Sequence, residues 1–407
     1  MSEPTEHEIS AALRATPPAL LGAGPQEPPA GKPPTPDATW ELPGGTAWVY
    51  YANPRFGLAR PVLIADGFNS GPSTLEFSWA GLETRNYPFI SALRERGHDA
   101  VLVGFDERSI SILQNARTAT AAILRAKEER LGGHPLVVGG FSMGGLVTRY
   151  ALAKMEHEEY DHQTAVYFSY DSPHRGAYIP LSLQAFAHYI RTVDDRFSRQ
   201  INSTAAQELL WRHLPEWDAP PKVSEQRKHF LAALRDVGDW PRRPRRLGVA
   251  NGVSTGVGNG VEAGRTAVRG KGIGVIGTDL RTMPVDDDSL AASLRFITSP
   301  KQEVHALGLP AADGAPGGTL DSYRILAKQL NRVLGLGVDN PVPEHSFVPT
   351  VSAVDLNGLD SDEQLYGAVD ALDPGGSGLD AFRCASRNEE HTKVTEELCG
   401  WLLDRFA

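Results

Sequence analysis

The chain is poor in sulfur. Among its 407 residues only Cys384 and Cys399 are cysteines, too sparse for a zinc site or a disulfide scaffold, and in a reducing compartment such residues stand as thiols. It is also short of positive charge. Lys and Arg number 40 against 50 Asp and Glu, a formal charge of −10, which excludes the electrostatic footprint of a nucleic-acid binder or a polybasic membrane anchor. Long apolar runs are missing as well, since no window approaches the roughly 18 uninterrupted apolar residues of a membrane span. The first residues, MSEPTEHEIS, lack the basic and apolar regions of a signal peptide. These absences predict a soluble, cytoplasmic protein with no nucleic-acid partner and no integral membrane segment; protein partners are not legible. What is present is 41% hydrophobic residues against 22% charged, enough to bury a sizeable core.

From Ala15 to Asp37 the chain is rich in Pro and Ala, with too few large apolar residues to offset its ordering entropy, so residues 1–39 read as an extended tail. Order is expected from Trp40, with TAWVYYAN as a first strand. PVLIADGF, DAVLVGFD, PLVVGGFS and TAVYFSYD are short continuous apolar runs, as buried parallel strands are. They alternate with helical patterns such as YPFISALRERG and SILQNARTATAAILRAKEERLGG, which predicts βαβ crossovers over 40–180. The fold class is α/β, a mostly parallel, doubly wound sheet. Residues 181–244 then read as a helical cap insertion without strands, carrying Phe186, Tyr189, Trp211, Trp217 and Phe230. That number of aromatics suits either a cap over a ligand cleft or ordinary packing on the sheet. From 245 to 407 strands resume as the second part of the core, interrupted by a glycine-rich stretch with the look of a small antiparallel excursion. GVGNGVEAG within it lacks the Lys-Ser/Thr ending of a phosphate loop.

The sharpest signal is VVGGFSMGGLVTRY, in which Gly140, Ser142 and Gly144 form Gly-x-Ser-x-Gly between an apolar strand and a helix. A serine hydroxyl is a weak nucleophile until a base takes its proton, and such a turn raises it to the top of a sheet beside the amides of a helix N-terminus. Small neighbours are required because the turn is tight. On these residues, together with DSPHRGA, the chain resembles the α/β-hydrolase superfamily, most closely its lipase, esterase and acyltransferase branch. The resemblance covers roughly residues 58–180 well and the last sixty loosely.

The resemblance implies an oxyanion hole built from the backbone amides of Met143, after the nucleophile, and Phe68, in the loop Asp66-Gly67-Phe68-Asn69. Asp66 stands where the branch commonly has His. A carboxylate beside an oxyanion is unfavourable, so it must point away, holding the loop or capping its turn. The hydrolase order Ser, acid, His places the base after the last strand, which selects His391, with His345 as rival; His174 is expected to shape the loop over the site. The late-strand Asp of the branch is absent, since the aligned stretch reads Glu344, His345, Ser346, Phe347, Val348, Pro349. Asp171, closing the strand AVYFSYD, is the preferred acid, and Asp355 and Glu344 are the alternatives. The run Asp286, Asp287, Asp288 reads as a solvated turn rather than a metal site, and the basic cluster at 241–246 as a linker.

The expected function is that of a serine hydrolase acting through an acyl-serine on a carboxyl ester or thioester of a sizeable, apolar, small-molecule or lipid-like substrate. Its alternatives are an acyltransferase or cyclase using a nucleophile other than water, or a non-catalytic binding protein on the same fold. No cofactor and no metal are implied. Asp171→Asn should lower turnover by orders of magnitude with folding intact; near-normal rates in a steady-state ester assay would move the acid role to Asp355 or Glu344.

Overall fold

The computed structural model describes residues 8, 10–11, 31–283, 289–297, 299–306, 308–356, 358–370 and 376–406. Most of the expected tail and the Asp286–Asp288 run lie outside the described residues. The strands in chain order are β1 (Ala38–Leu42), β2 (Gly45–Tyr50), β3 (Pro61–Ala65), β4 (Asp99–Phe105), β5 (Leu136–Phe141), β6 (Thr164–Tyr170), β7 (Arg245–Ala250), β8 (Thr266–Gly270), β9 (Asp279–Arg281), β10 (Ser289–Leu294), β11 (Gln302–Ala306), β12 (Gly317–Leu320), β13 (Val338–Asp339), β14 (His345–Pro349) and β15 (Ala381–Cys384). Eight of them form one sheet in the order β1-β2-β4-β3-β5-β6-β7-β15. The β1-β2 and β2-β4 pairs are antiparallel, and every pair from β4 to β15 is parallel.

Alternation along each strand explains how this sheet is covered. Leu63, Val101, Val103 and Val138 enter one apolar cluster, whereas Val62, Ile64, Ala100, Leu102 and Val137 enter another. Successive side chains of a strand point to opposite faces, so both faces of β3, β4 and β5 are buried and their sequences read as unbroken apolar runs. After β3 come α1 (Leu75–Leu82) and α2 (Phe89–Glu95), then α3 (Ile112–Glu129) after β4 and α4 (Met143–His157) after β5. The first cluster takes Ile112, Ala119 and Ile123 of α3 and Leu146 of α4; the second takes Phe89, Ile90 and Leu93 of α2. Helix α1 was not foreseen. Its eight residues are too few to display a helical period, although Thr74 caps it by accepting from the Phe77 amide.

Residues 181–244 are helical, with α5 (Leu181–Tyr189), α6 (Arg196–Ile201), α7 (Thr204–Leu209) and α8 (Glu225–Asp236). They do not cover the nucleophile. Helix α5 lies on a second sheet, β11-β10-β9-β8-β13, whose pairs are all antiparallel. The expected small excursion is therefore a five-stranded layer, and α5 packs on its strands β9, β10 and β11. Phe186 is buried with its ring 6.2 Å from that of Phe296, Tyr189 meets Trp217, and Trp211 stacks on Tyr178. Of residues 245–407, only β7 and β15 join the large sheet. The stretch SFVPTVSAVDL is β14 up to Pro349 and then a helical turn at Thr350–Ala353, with Pro349 just before the turn, where a missing N–H leaves no helical bond unmade. Helix α9 (Ser322–Asn331) follows β12, and α10 (Glu396–Leu403) closes the chain, its Leu398 and Leu402 packing in the same cluster as α2. No helix among the described residues is long and apolar enough to cross a membrane.

Phe186→Ala should destabilise the protein by about 3–5 kcal/mol, measured by urea unfolding, while leaving the reactivity of Ser142 in the folded fraction unchanged. A selective loss of that reactivity would mean that this layer reaches the nucleophile after all.

Candidate active site

Ser142 sits between the last residue of β5 and the first of α4, with φ 51° and ψ −123°. This is a sparsely populated conformation for a residue with a side chain, costing on the order of 1–3 kcal/mol. The surroundings enforce it. The Ser142 amide donates to the Tyr170 carbonyl at 2.9 Å, and a Cβ on Gly144 would lie 2.2 Å from the Ala65 carbonyl oxygen. Only glycine lets α4 start this close to β3, and the turn that results lifts the serine side chain above the sheet.

Two further segments meet the serine. Asp171 follows directly on β6, with φ 48° and its side chain fully buried. His391 lies in the segment before α10, where its amide donates to the Thr319 carbonyl at 2.8 Å and the Thr319 amide donates to Glu389 at 3.0 Å. Strand β12 thereby fixes the histidine segment from both sides. His391 Nε2 is 2.8 Å from Ser142 Oγ, and its Nδ1 is 2.7 Å from Asp171 Oδ2. The other carboxylate oxygen, Oδ1, accepts from the Asn251 amide at 2.9 Å. With Nδ1–H donating to the carboxylate, Nε2 carries the lone pair that faces the serine hydroxyl. The Phe347 ring meets the imidazole edge-on, centroids 4.8 Å apart.

The rival residues are engaged elsewhere. His345 Nε2 pairs with Ser322 Oγ at 3.1 Å, Glu344 accepts from Thr319 Oγ1 at 3.3 Å, and Asp355 takes Arg175 at 2.8 Å and the Trp240 indole at 3.1 Å. His174 contacts Arg149 and Ser169. Asp66 turns its carboxylate into its own loop, accepting from the Gly67 amide at 2.8 Å and Ser73 Oγ at 2.6 Å, with Arg108 at 3.5 Å. Burial raises the pKa of its carboxyl, against the pull of Arg108 and those hydrogen bonds. Among the described residues, neither the Phe68 nor the Met143 amide donates to a protein acceptor. Phe68 and Ser142 line the same cavity, with Met143 the residue after the serine.

That cavity measures about 120 Å3 and is lined mainly by apolar side chains, among them Ile64, Phe68, Phe77, Leu82, Phe141 and Val394. Its outer wall is α1, from which Phe77 and Gly81, one turn apart on the same face, look into it. No residue of 181–244 lines it. It is smaller than the roughly 150 Å3 of an engineered cavity that holds a benzene, and so less roomy than the aromatic content of 181–244 suggested. No group of three or more potential metal ligands occurs among the described residues.

The doubly wound sheet and the strand-turn-helix elbow at Ser142 give the chain an α/β-hydrolase fold. No family model matches the sequence, and no curated protein matches it. Among solved structures it is similar to the mature lipase BlEst2 of Bacillus licheniformis (14% identity, 54% of this chain and 74% of that one, TM-score 0.32). It is also similar to an esterase of Pyrobaculum calidifontis (14%, 60% and 72%, TM-score 0.34) and to XC6422 of Xanthomonas campestris, described as a serine hydrolase without lid (21%, 35% and 65%, TM-score 0.26).

Sequence reading missed Gly318. A Cβ there would lie 2.0 Å from Asp171 Oδ2 and 3.1 Å from His391 Cα, and nothing in the local sequence marks it. Because Asp171 is held by both Asn251 and His391, it has nowhere to move. Gly318→Ala should therefore cut ester turnover at least 100-fold with a native circular-dichroism spectrum; unchanged turnover would show that the carboxylate yields without consequence.

Proposed function

We propose that the chain is a serine esterase in which Ser142, His391 and Asp171 act as the triad and the Phe68 and Met143 amides as the oxyanion hole. The observation that supports it best is the unbroken hydrogen-bond chain from the Asn251 amide through Asp171 and His391 to Ser142 Oγ. His391 Nε2 takes the serine proton as Oγ bonds to the carbonyl carbon of the ester. The carbonyl oxygen becomes an oxyanion facing the two amides, a donor pair of which each member is worth roughly 10²–10³ in rate. Asp171 stabilises the imidazolium without taking its proton. As the intermediate collapses, the ester C–O bond breaks and His391 passes the proton to the leaving alcohol. Water then repeats the sequence on the acyl-serine, giving up a proton to His391 and releasing the acid while Ser142 regains its hydrogen. A thioester would follow the same path with a thiol leaving.

The acyl group lies in the cavity walled by α1, and it is apolar and compact. A fluorophosphonate probe should label Ser142 in the wild type, with the adduct located by peptide mass spectrometry, and label neither Ser142→Ala nor His391→Ala. A folded wild type that takes no label would sink the assignment.

Nothing lies within 4 Å of a Cβ built on Gly81, and helix α1 tolerates any good helix former there. Gly81→Leu should thus fill the cavity without unfolding the helix. Across p-nitrophenyl esters from acetate to dodecanoate, it should lower kcat/KM for hexanoate and longer chains at least tenfold while acetate changes less than threefold. An equal fall for every chain would place the acyl group elsewhere.

A further inference from the structure

A second cavity, of about 640 Å3, shares no lining residue with the first. Its walls carry five arginines, Arg149, Arg175, Arg212, Arg227 and Arg235, and no lysine or glutamate. Three aspartates share it, Asp239, Asp355 and Asp360, which leaves an excess of positive charge in a chain whose overall charge is −10. We propose that this cleft binds a small polyanion, a molecule that presents two or more phosphate or carboxylate groups.

The pairing inside the cleft carries the proposal. Arg175 is matched to Asp355 at 2.8 Å and Arg212 to Asp360 at 2.6 Å. Arg149 and Arg227, each 5% exposed, have no carboxylate within ion-pair distance among the described residues. Their protons go instead to neutral acceptors. Arg149 Nε donates to the Asp239 carbonyl at 2.7 Å and Nη1 to His174 Nδ1 at 3.3 Å, while Arg227 donates to the carbonyls of Glu208, Leu209 and Arg175. Such bonds hold the guanidinium groups in place without a carboxylate paired directly to them, and a buried charge without a direct partner is costly. Burial lowers the pKa of both: that of Arg227 to about 10, with Arg212 and Arg175 adding repulsion, and that of Arg149 against the longer-range pull of Asp355 and Asp239. His174 offers no charge of either sign, because burial and the neighbouring arginines hold its pKa well below the ordinary histidine value. Arg235, at the C-terminal end of α8, is exposed and forms no ion pair among the described residues.

The chemistry of the wall selects the ligand class. Planar guanidinium groups fixed in place suit phosphate and carboxylate oxygens, which they grip bidentately. The indoles of Trp240 and Trp211 are each covered by an arginine, Arg149 at 3.6 Å and Arg212 at 4.2 Å from the ring centroid, so recognition here is by charge rather than by stacking of a ligand ring.

Isothermal titration of the full chain with sodium pyrophosphate and, separately, sodium citrate, in a buffer of matched ionic strength, tests the site. Saturable one-to-one binding of either anion is expected, pyrophosphate alone indicating a phosphate ligand and citrate alone a carboxylate one. Arg235→Glu, at an exposed position that keeps the fold, should weaken binding at least tenfold with an unchanged melting temperature in the absence of anion. No saturable binding of either anion by the wild type, or equal affinity in Arg235→Glu, would overturn the proposal.

Discussion

Asp171 is a buried carboxylate with no freedom to turn, and the geometry around Ser142 hangs on that. One oxygen is taken by the Asn251 amide after β7, the other by His391, and Gly318 of β12 leaves no space on the remaining side. A side chain held by three separate segments of the chain fixes the tautomer and the direction of the imidazole it touches, so the lone pair on Nε2 faces Ser142 without any reorganisation. The strained backbone at Ser142 is the matching constraint on the other partner. Both cost stability locally, and both are held by the fully buried central strands behind them.

The part of the fold written in short-range pattern was readable from the sequence. Continuous apolar runs at β3 to β6 mark strands buried on both faces, and the glycines around Ser142 mark a close approach of backbones. His391 was placed by chain order alone, and the segment carrying it has no local pattern that reveals its tether to β12. Asp171 is preferred over Asp355 and Glu344 only because it closes the strand that follows the nucleophile helix, since the partners that separate them, Asn251 for one and Arg175 for another, are far away in sequence.

What the sequence hid is equally physical. Aromatic residues at 181–244 signal that an apolar partner exists, but not which one. For Phe186 the partner is Phe296, beside the antiparallel layer β8 to β11, whose strands of three to six residues are too short to carry a strong periodic signal. Helix α1 is too short to show its period, although it forms the wall facing the serine. The expected cap and the actual wall therefore belong to different parts of the chain, and the space left beside Ser142 is compact because a single short helix encloses it. The arginine cleft was invisible for a similar reason, since its cations come from α4, α8 and two loops that meet only in the folded chain.

The central claim, that an acyl group passes through Ser142, is tested most directly by partitioning between water and methanol. Phenyl, p-nitrophenyl and ethyl esters of one short acid are hydrolysed in the same aqueous methanol, and the ratio of methyl ester to free acid is measured for each. A common acyl-serine predicts one ratio for all three leaving groups. A ratio that varies with the leaving group would mean that water attacks the substrate itself, which contradicts the nucleophilic role of Ser142 and the proton path through His391 and Asp171.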